Sequence, residues 1–146
     1  MMLNIMLLLH VIGTGGMGFY LLLPFLVGRT TQLTGEGQAG LADGLVLGNR
    51  IAQYFLVLQL LTGGYLISQA GDYTALWMVI VIVLFLAIAA LGGIMTKPLK
   101  GIVSSIRSGK SAAEMIKRVR TMSLIVLVIY LVILYFMQYP MYKQVV

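Results

Sequence analysis

Hydrophobic and polar positions divide the chain into four long apolar runs separated by shorter polar segments. Arg50 is the only charged side chain within the runs, and Pro24 lies near the end of the first, where proline kinks or ends a helix. Each run is long enough to cross a bilayer as a helix. The pattern predicts an all-α integral membrane protein, an antiparallel four-helix bundle forming one domain over residues 1–146. The predicted spans cover about residues 3–27, 45–69, 73–96 and 121–139.

The polar segments between the runs differ in composition. Residues 28–44 (GRTTQLTGEGQAGLADG) are rich in glycine and polar side chains, which predicts a loop. A short turn at 70–72 makes the second and third helices antiparallel neighbours. Residues 97–120 hold seven Lys or Arg side chains and are predicted to form a basic cytoplasmic loop. Within it, Ser111 and Glu114 have the spacing of a capping box, so the fourth helix is expected to begin there.

The distribution of basic residues predicts the orientation. The seven in 97–120, together with Arg29 and Arg50, make nine of the ten on one side, and Lys143 lies on the other. The positive-inside rule then places both termini outside the cytoplasm, and we expect the inner membrane of a bacterium. A nucleic-acid or anionic-lipid site in the basic loop is the alternative. Topology alone accounts for the charge, so no nucleic-acid partner is expected.

Composition excludes several kinds of chemistry. The chain is 60% apolar and 10% charged and has no cysteine, so it offers no disulfide, thiolate metal site or cysteine nucleophile. The runs contain no Asp, Glu or Lys, which removes the usual parts of a proton relay or an ion-coupled carrier. No Ser-His-Asp set is present at one depth. The sequence therefore favours a protein that is not an enzyme.

His10 is the only histidine, and it lies inside the first apolar run, in LLLHVIGTGGMG. Hydrocarbon offers no hydrogen-bond partner, so this imidazole is expected to be neutral and to bond to polar groups on neighbouring helices. The side chains predicted near its depth are Thr62 and Gln59 on the second span and Tyr135 and Gln138 on the fourth. We therefore expect an inward-facing polar layer around His10.

The same region is a candidate ligand site. Met6 lies one helical turn before His10, and Met137 lies near its depth on the fourth span. A thioether beside an imidazole suits haem iron or copper(I), with His10 as the metal ligand. The alternative is structural: His10 only hydrogen-bonds across the helices, and the methionines are apolar filler.

Small residues are concentrated in three runs. They allow helix backbones to approach closely, which is how membrane helices gain contact without water to drive them together. The alternative is that a flat cofactor or a lipid tail occupies the space that they leave. The residues are Gly13, Gly15, Gly16 and Gly18 in the first run, Gly63 and Gly64 in the second, and Ala87, Ala89, Ala90, Gly92 and Gly93 in the third.

Three stretches carry a resemblance to a known superfamily. They are LHVIGTGGMGFYLLLPFLVGR, LLTGGYLISQAGDYTALW and LFLAIAALGGI, within the first two-thirds of the chain. The chain resembles the small bacterial four-helix membrane proteins of the CopD-like and HemJ-type families. The resemblance implies copper uptake or haem-dependent porphyrin oxidation, with His10 at the position of a haem ligand. The third span, ALWMVIVIVLF, lacks the lysine that HemJ-type proteins carry after their tryptophan, which argues against porphyrinogen oxidation.

Two functional hypotheses follow. The first is a membrane protein that binds a cofactor or small ligand between its helices, haem before copper, with His10 at the centre. The second is a non-catalytic accessory subunit of a larger, respiratory-type membrane complex, whose small-residue faces pack against partner helices. Besides the lipid bilayer, the expected partners are other membrane subunits or further copies of the chain. A channel formed by oligomers would need a polar lining that the runs barely supply.

Overall fold

A computed structural model describes residues 1–144, and these are almost entirely helical. Four helical stretches are long and apolar enough to span a membrane, which confirms the number of spans predicted from the sequence. Helices α1 and α2 together form the first of them. Four such helices indicate a multi-pass membrane protein. The helices are α1 (Met2–Met17), α2 (Phe19–Thr30), α3 (Gly35–Ala70), α4 (Ala75–Arg107) and α5 (Ala113–Gln138).

The first span is interrupted at Gly18, between α1 and α2. The Gly18 N–H donates to the Gly15 carbonyl oxygen at 3.0 Å, a bond to the third residue back, so the helix tightens locally. A Cβ on Gly18 would lie 2.8 Å from that same oxygen, so this turn has no room for a side chain. Pro24 lies inside α2, which continues past it to Thr30. The irregularity therefore falls among the glycines and not at the proline.

The two polar segments on the basic side are mostly helical, which corrects the sequence prediction. The loop expected over 28–44 is reduced to residues 31–34, and the basic loop expected over 97–120 is reduced to 108–112. Extending a helix that already exists costs much less than nucleating one, and Lys, Arg, Glu and Ala are good helix formers. Polar composition therefore marked where the helices leave the apolar region, not where they end.

Glycines in the left-handed conformation end the two long central helices. Gly71 follows α3 with φ of 68°, and Gly109 follows α4 with φ of 71°. Glycine adopts this conformation without a steric penalty, so each chain reversal is short. The first reversal matches the turn predicted at 70–72. Helix α5 begins at Ala113 with Ala112 as its N-cap, and no side chain caps it. The predicted capping box of Ser111 and Glu114 is therefore not formed, and the Ser111 hydroxyl accepts from the Ala113 N–H at 3.4 Å instead.

Each span packs chiefly against two others. Helix α3 contacts α1, α2 and α4, and α5 contacts α4 and α2. Buried apolar side chains from all five helices form one core, including Met17, Leu23, Leu56, Ile88 and Val126. Large apolar side chains also cover the outside of the spans, as lipid contact requires.

Aromatic side chains gather at the end of the molecule that carries the α3–α4 turn. The ring of Tyr73 stacks on Trp77, with centroids 4.5 Å apart, and on Tyr142, with centroids 5.4 Å apart. The Trp77 indole N–H donates to the Phe136 carbonyl oxygen at 2.9 Å. The segment that follows α5 is thereby held against the turn between α3 and α4.

A buried polar cluster joins the other half of the first span to α3 and α4. The side-chain amide of Asn49 donates to the Gly92 carbonyl oxygen at 2.9 Å and to the Thr96 hydroxyl at 3.2 Å. The Tyr20 hydroxyl donates to the Asn49 amide oxygen at 3.3 Å. Asn49 is 1% exposed, and each of its side-chain polar atoms has a partner. This cluster stabilises helix contacts without leaving a group free for a ligand.

The cluster predicts different effects for two adjacent glycines. A Cβ on Gly92 would lie 2.6 Å from the Tyr20 hydroxyl oxygen, whereas a Cβ on Gly93 meets nothing within 4 Å. Gly92→Ala is expected to lower the free energy of unfolding by about 1–3 kcal/mol, because it displaces Tyr20 from Asn49. Gly93→Ala is the control and should be neutral or slightly stabilising. Unfolding of the purified variants in mild detergent measures both, and equal effects would contradict this packing of Tyr20 against Gly92.

Candidate functional site around His10

Four polar side chains from α1 and α3 form a connected group inside the apolar spans. His10 and Thr14 lie one turn apart on α1, and Gln59 and Thr62 lie one turn apart on α3, so each pair points to one side of its helix. His10 Nδ1 lies 3.0 Å from Thr62 Oγ1, and His10 Nε2 lies 2.9 Å from Gln59 Nε2. Gln59 Nε2 also donates to the Thr14 hydroxyl at 2.9 Å.

The partners of the imidazole determine its tautomer. An amide nitrogen can only donate, so His10 Nε2 accepts the bond from Gln59 and carries no proton. The Thr62 hydroxyl donates to the Leu58 carbonyl oxygen at 2.8 Å, which leaves its oxygen free to accept from His10 Nδ1. With the Gln59 amide in this orientation, the network fits a neutral ring with its proton on Nδ1. A proton on His10 Nε2 would place two hydrogen-bond donors, this N–H and the Gln59 amide N–H, opposite each other.

The fourth span also reaches this group. The Tyr130 hydroxyl donates to the Thr14 carbonyl oxygen at 2.7 Å, and the Thr14 hydroxyl donates to the His10 carbonyl oxygen at 3.0 Å. Tyr130 is 3% exposed, so its bond lies in the interior. The side-chain and backbone bonds around His10 thus connect α1, α3 and α5.

Glycines provide the space for these polar side chains. A Cβ on Gly63 would lie 3.1 Å from His10 Cε1, and a Cβ on Gly13 would collide with the amide oxygen of Gln59. That amide oxygen is buried and has no hydrogen-bond partner. A buried hydrogen-bond acceptor without a partner costs free energy in hydrocarbon. The amide oxygen of Gln59 is the polar side-chain atom of this site that lacks a hydrogen bond.

Two adjoining cavities open beside the imidazole, and we call them together the His10 cavity. They have volumes of about 100 and 230 Å³ and share four lining residues, His10, Gly63, Ile67 and Met137. The first extends along Val81 and Phe85 of α4, and the second extends to Tyr73 and Trp77 at the aromatic end. Together they reach the lower end of the range for small-ligand pockets, roughly 300–1,000 Å³. The walls are apolar apart from a few polar side chains.

The candidate residues named from the sequence fall into two groups. The structure brings His10, Gln59 and Thr62 together by direct hydrogen bonds and places Met137 in the wall of the His10 cavity. Met6 is half-buried but lines neither part of that cavity. Tyr135 is 61% exposed and packs against Phe136 and Tyr139, away from the imidazole.

Two residues of the site were not identified as such from the sequence. Thr14 follows His10 by four residues, a spacing that places both on one helix face, and this signal was available. Tyr130, like Tyr54 and Tyr65, stands out in the sequence only as a possible hydrogen-bond donor to a quinone or as an ordinary membrane aromatic. Its bond goes to the Thr14 backbone oxygen, which no pattern of side chains indicates.

Two observations bear on the haem and copper hypotheses, and neither supports them. Within residues 1–144, no three His, Cys, Asp or Glu side chains lie close enough to hold a metal ion. Both ring nitrogens of His10 have partners in the chain, so coordination through Nε2 would require Gln59 to withdraw. Gln59 would then lose a bond in a region without water.

Comparison with known proteins adds no functional assignment. No family model matches the chain, and no curated protein or solved structure is similar to it. The resemblance to CopD-like and HemJ-type proteins rests on the quoted sequence stretches alone. Inference about function therefore depends on the geometry around His10.

The tautomer can be tested directly, because His10 is the only histidine in the chain. In protein labelled with ¹⁵N-histidine and carrying no histidine tag, we expect the spectrum of a neutral ring protonated at Nδ1. Gln59→Met should shift the Nε2 resonance, since it removes the donor to that nitrogen. Gln53→Met, six residues earlier on α3 and without a bond to His10, is the control. A spectrum with the proton on Nε2, or an equal shift in both variants, would contradict the network.

Proposed function

We propose that this chain is an antiparallel four-helix bundle of the bacterial inner membrane that binds a small, mainly apolar ligand in the His10 cavity. The ligand that the site fits best has a hydrocarbon body and one hydroxyl group. Such molecules dissolve in the bilayer and can enter between helices without crossing water. The proposal includes no catalytic step.

Charge supports the orientation within this proposal. The loops at 31–34 and 108–112, and the helix ends beside them, carry nearly all the basic residues. At the opposite end, the Lys143 ammonium group donates to the Gly71 carbonyl oxygen at 3.3 Å. By the positive-inside rule, the end with the two loops faces the cytoplasm and both termini lie outside.

The unpaired amide oxygen of Gln59 is the single observation that carries the proposed ligand class. Gln59 lines the His10 cavity and has one buried acceptor without a partner, while the other polar atoms around it are already bonded. This oxygen lies beside Gly13, so a ligand hydroxyl would supply the missing donor once the Gln59 amide turns toward the cavity. The apolar walls along α4, formed by side chains such as Val81 and Phe85, would hold a hydrocarbon body.

Trp77 allows this proposal to be tested by fluorescence. It is the only tryptophan in the chain, and it lines the second part of the His10 cavity. A dibrominated long-chain alcohol, whose bromine atoms quench nearby indoles, should quench Trp77 saturably in detergent micelles. The matching methyl ether lacks the O–H donor and should bind about tenfold more weakly.

Variants that fill the cavity give the second arm of this experiment. Gly63→Leu should weaken quenching by the alcohol about tenfold, because Gly63 lines both parts of the cavity. Met137→Phe narrows the same space from α5, and it decides the question if the Gly63 variant does not fold. Gly15→Leu adds the same side chain where the structure has open space, and it is the control.

Three outcomes would overturn the proposal. One is equal quenching by the alcohol and the ether, and another is quenching that the filled variants leave unchanged. The third is a purified protein with a Soret absorption band that His10→Ala abolishes, which would establish haem binding. Copurification with fixed membrane partners, together with failure of the quenching assay, would favour the accessory-subunit hypothesis.

A further inference from the structure

A second groove lies at the opposite end of the spans, between α2 and α5, and takes no part in the His10 site. It has a volume of about 360 Å³. Arg29 and Gln32 line it from the end of α2 and the loop after it, and Arg120 lines it from α5. The groove lies where the apolar spans give way to the basic loops, at the depth of lipid headgroups.

The groove carries positive charge that nothing nearby balances. Within residues 1–144, the one ion pair joins Arg107 to Glu36, so neither Arg29 nor Arg120 has an acidic partner. Arg29 donates a hydrogen bond to the side chain of Gln32, a neutral group. The residues that line the groove include no Asp or Glu. Two guanidinium groups beside one concave surface are suited to a phosphate group.

Gly28 lies beneath the guanidinium group of Arg120 and next to Arg29 in the chain. A Cβ on Gly28 would lie 3.9 Å from the guanidinium carbon of Arg120, so that group lies over the backbone beside Arg29. A large side chain at this position would occupy the same space. The close approach of α5 to the end of α2 therefore brings the second guanidinium group to the groove.

The apolar wall of the groove continues from the arginines into the membrane. Phe25 precedes Arg29 by one turn of α2, and Leu124 follows Arg120 by one turn of α5. Both are therefore about 6 Å deeper than the guanidinium groups. Phe25 is 70% exposed and Leu124 is 46% exposed, and both line the groove. The groove thus presents cations at headgroup depth and hydrocarbon below them.

We infer that this groove binds the headgroup of an anionic phospholipid. The phosphodiester would accept hydrogen bonds from Arg29 and Arg120, and an acyl chain would lie along Phe25 and Leu124. Basic pockets between transmembrane helices bind such headgroups in this manner. Free phosphate shares the anionic phosphate oxygens but has no acyl chain to occupy the apolar wall. The inference is independent of the ligand proposed for the His10 cavity.

The test uses native mass spectrometry of the full chain in mild detergent, with phosphatidylglycerol and phosphatidylcholine of identical acyl chains. We expect phosphatidylglycerol to remain bound in preference to phosphatidylcholine. Replacing both arginines, in R29Q/R120Q, should weaken phosphatidylglycerol binding about thirtyfold, since each basic side chain contributes roughly a fivefold effect.

The control is R50Q/R118Q, which removes two exposed arginines from the same end of the molecule, away from this groove. It should weaken phosphatidylglycerol binding by less than about threefold. An equal loss in both double variants would overturn the inference, because it would show a general charge effect. Displacement of the lipid by millimolar inorganic phosphate would also overturn it, because the site would then recognise phosphate alone. Thermal unfolding checks that both variants fold.

Discussion

The hydrogen bonds between His10 and α3 are the constraint on which the rest of the structure depends. Hydrocarbon offers no substitute partners, so each polar group that enters a span must find one in the protein. Gln59 and Thr62 bind opposite sides of one imidazole and thereby fix both the rotation and the depth of α1 against α3. Sliding either helix by one turn would leave several polar groups unpaired.

The glycines and the cavity follow from this constraint. Room for His10 and Gln59 requires Gly63 and Gly13, because side chains there would occupy the same space. The polar side chains do not fill all the space that the small residues leave, and the His10 cavity is the remainder. At the basic end, the guanidinium group of Arg120 lies near Gly28, at ordinary contact distance from where a Cβ would be. The space beside the small residues is therefore filled by packed side chains at some positions and left as a cavity at others.

Depth along a span could be predicted from the sequence, but rotation about the helix axis could not. Gln59 and Thr62 were expected near His10 because of their depth, and they are bonded to it. Tyr135 has a suitable depth but faces outward, because α5 presents a different side to α1. The four spans could be predicted from apolar length, whereas the loop bounds could not, since polar residues outside the membrane continue the same helices. The bond from Tyr130 to a backbone oxygen leaves no trace in the sequence.

A double-mutant cycle between His10 and Gln59 tests the central claim most directly. The free energy of unfolding is measured in detergent for the wild type, His10→Ala, Gln59→Ala and the double variant. If the two side chains are bonded in the interior, their coupling energy should be about 1 kcal/mol or more. Effects that add to within about 0.3 kcal/mol would show that the imidazole and the amide do not interact. That result would contradict the claim that this hydrogen bond fixes α1 against α3.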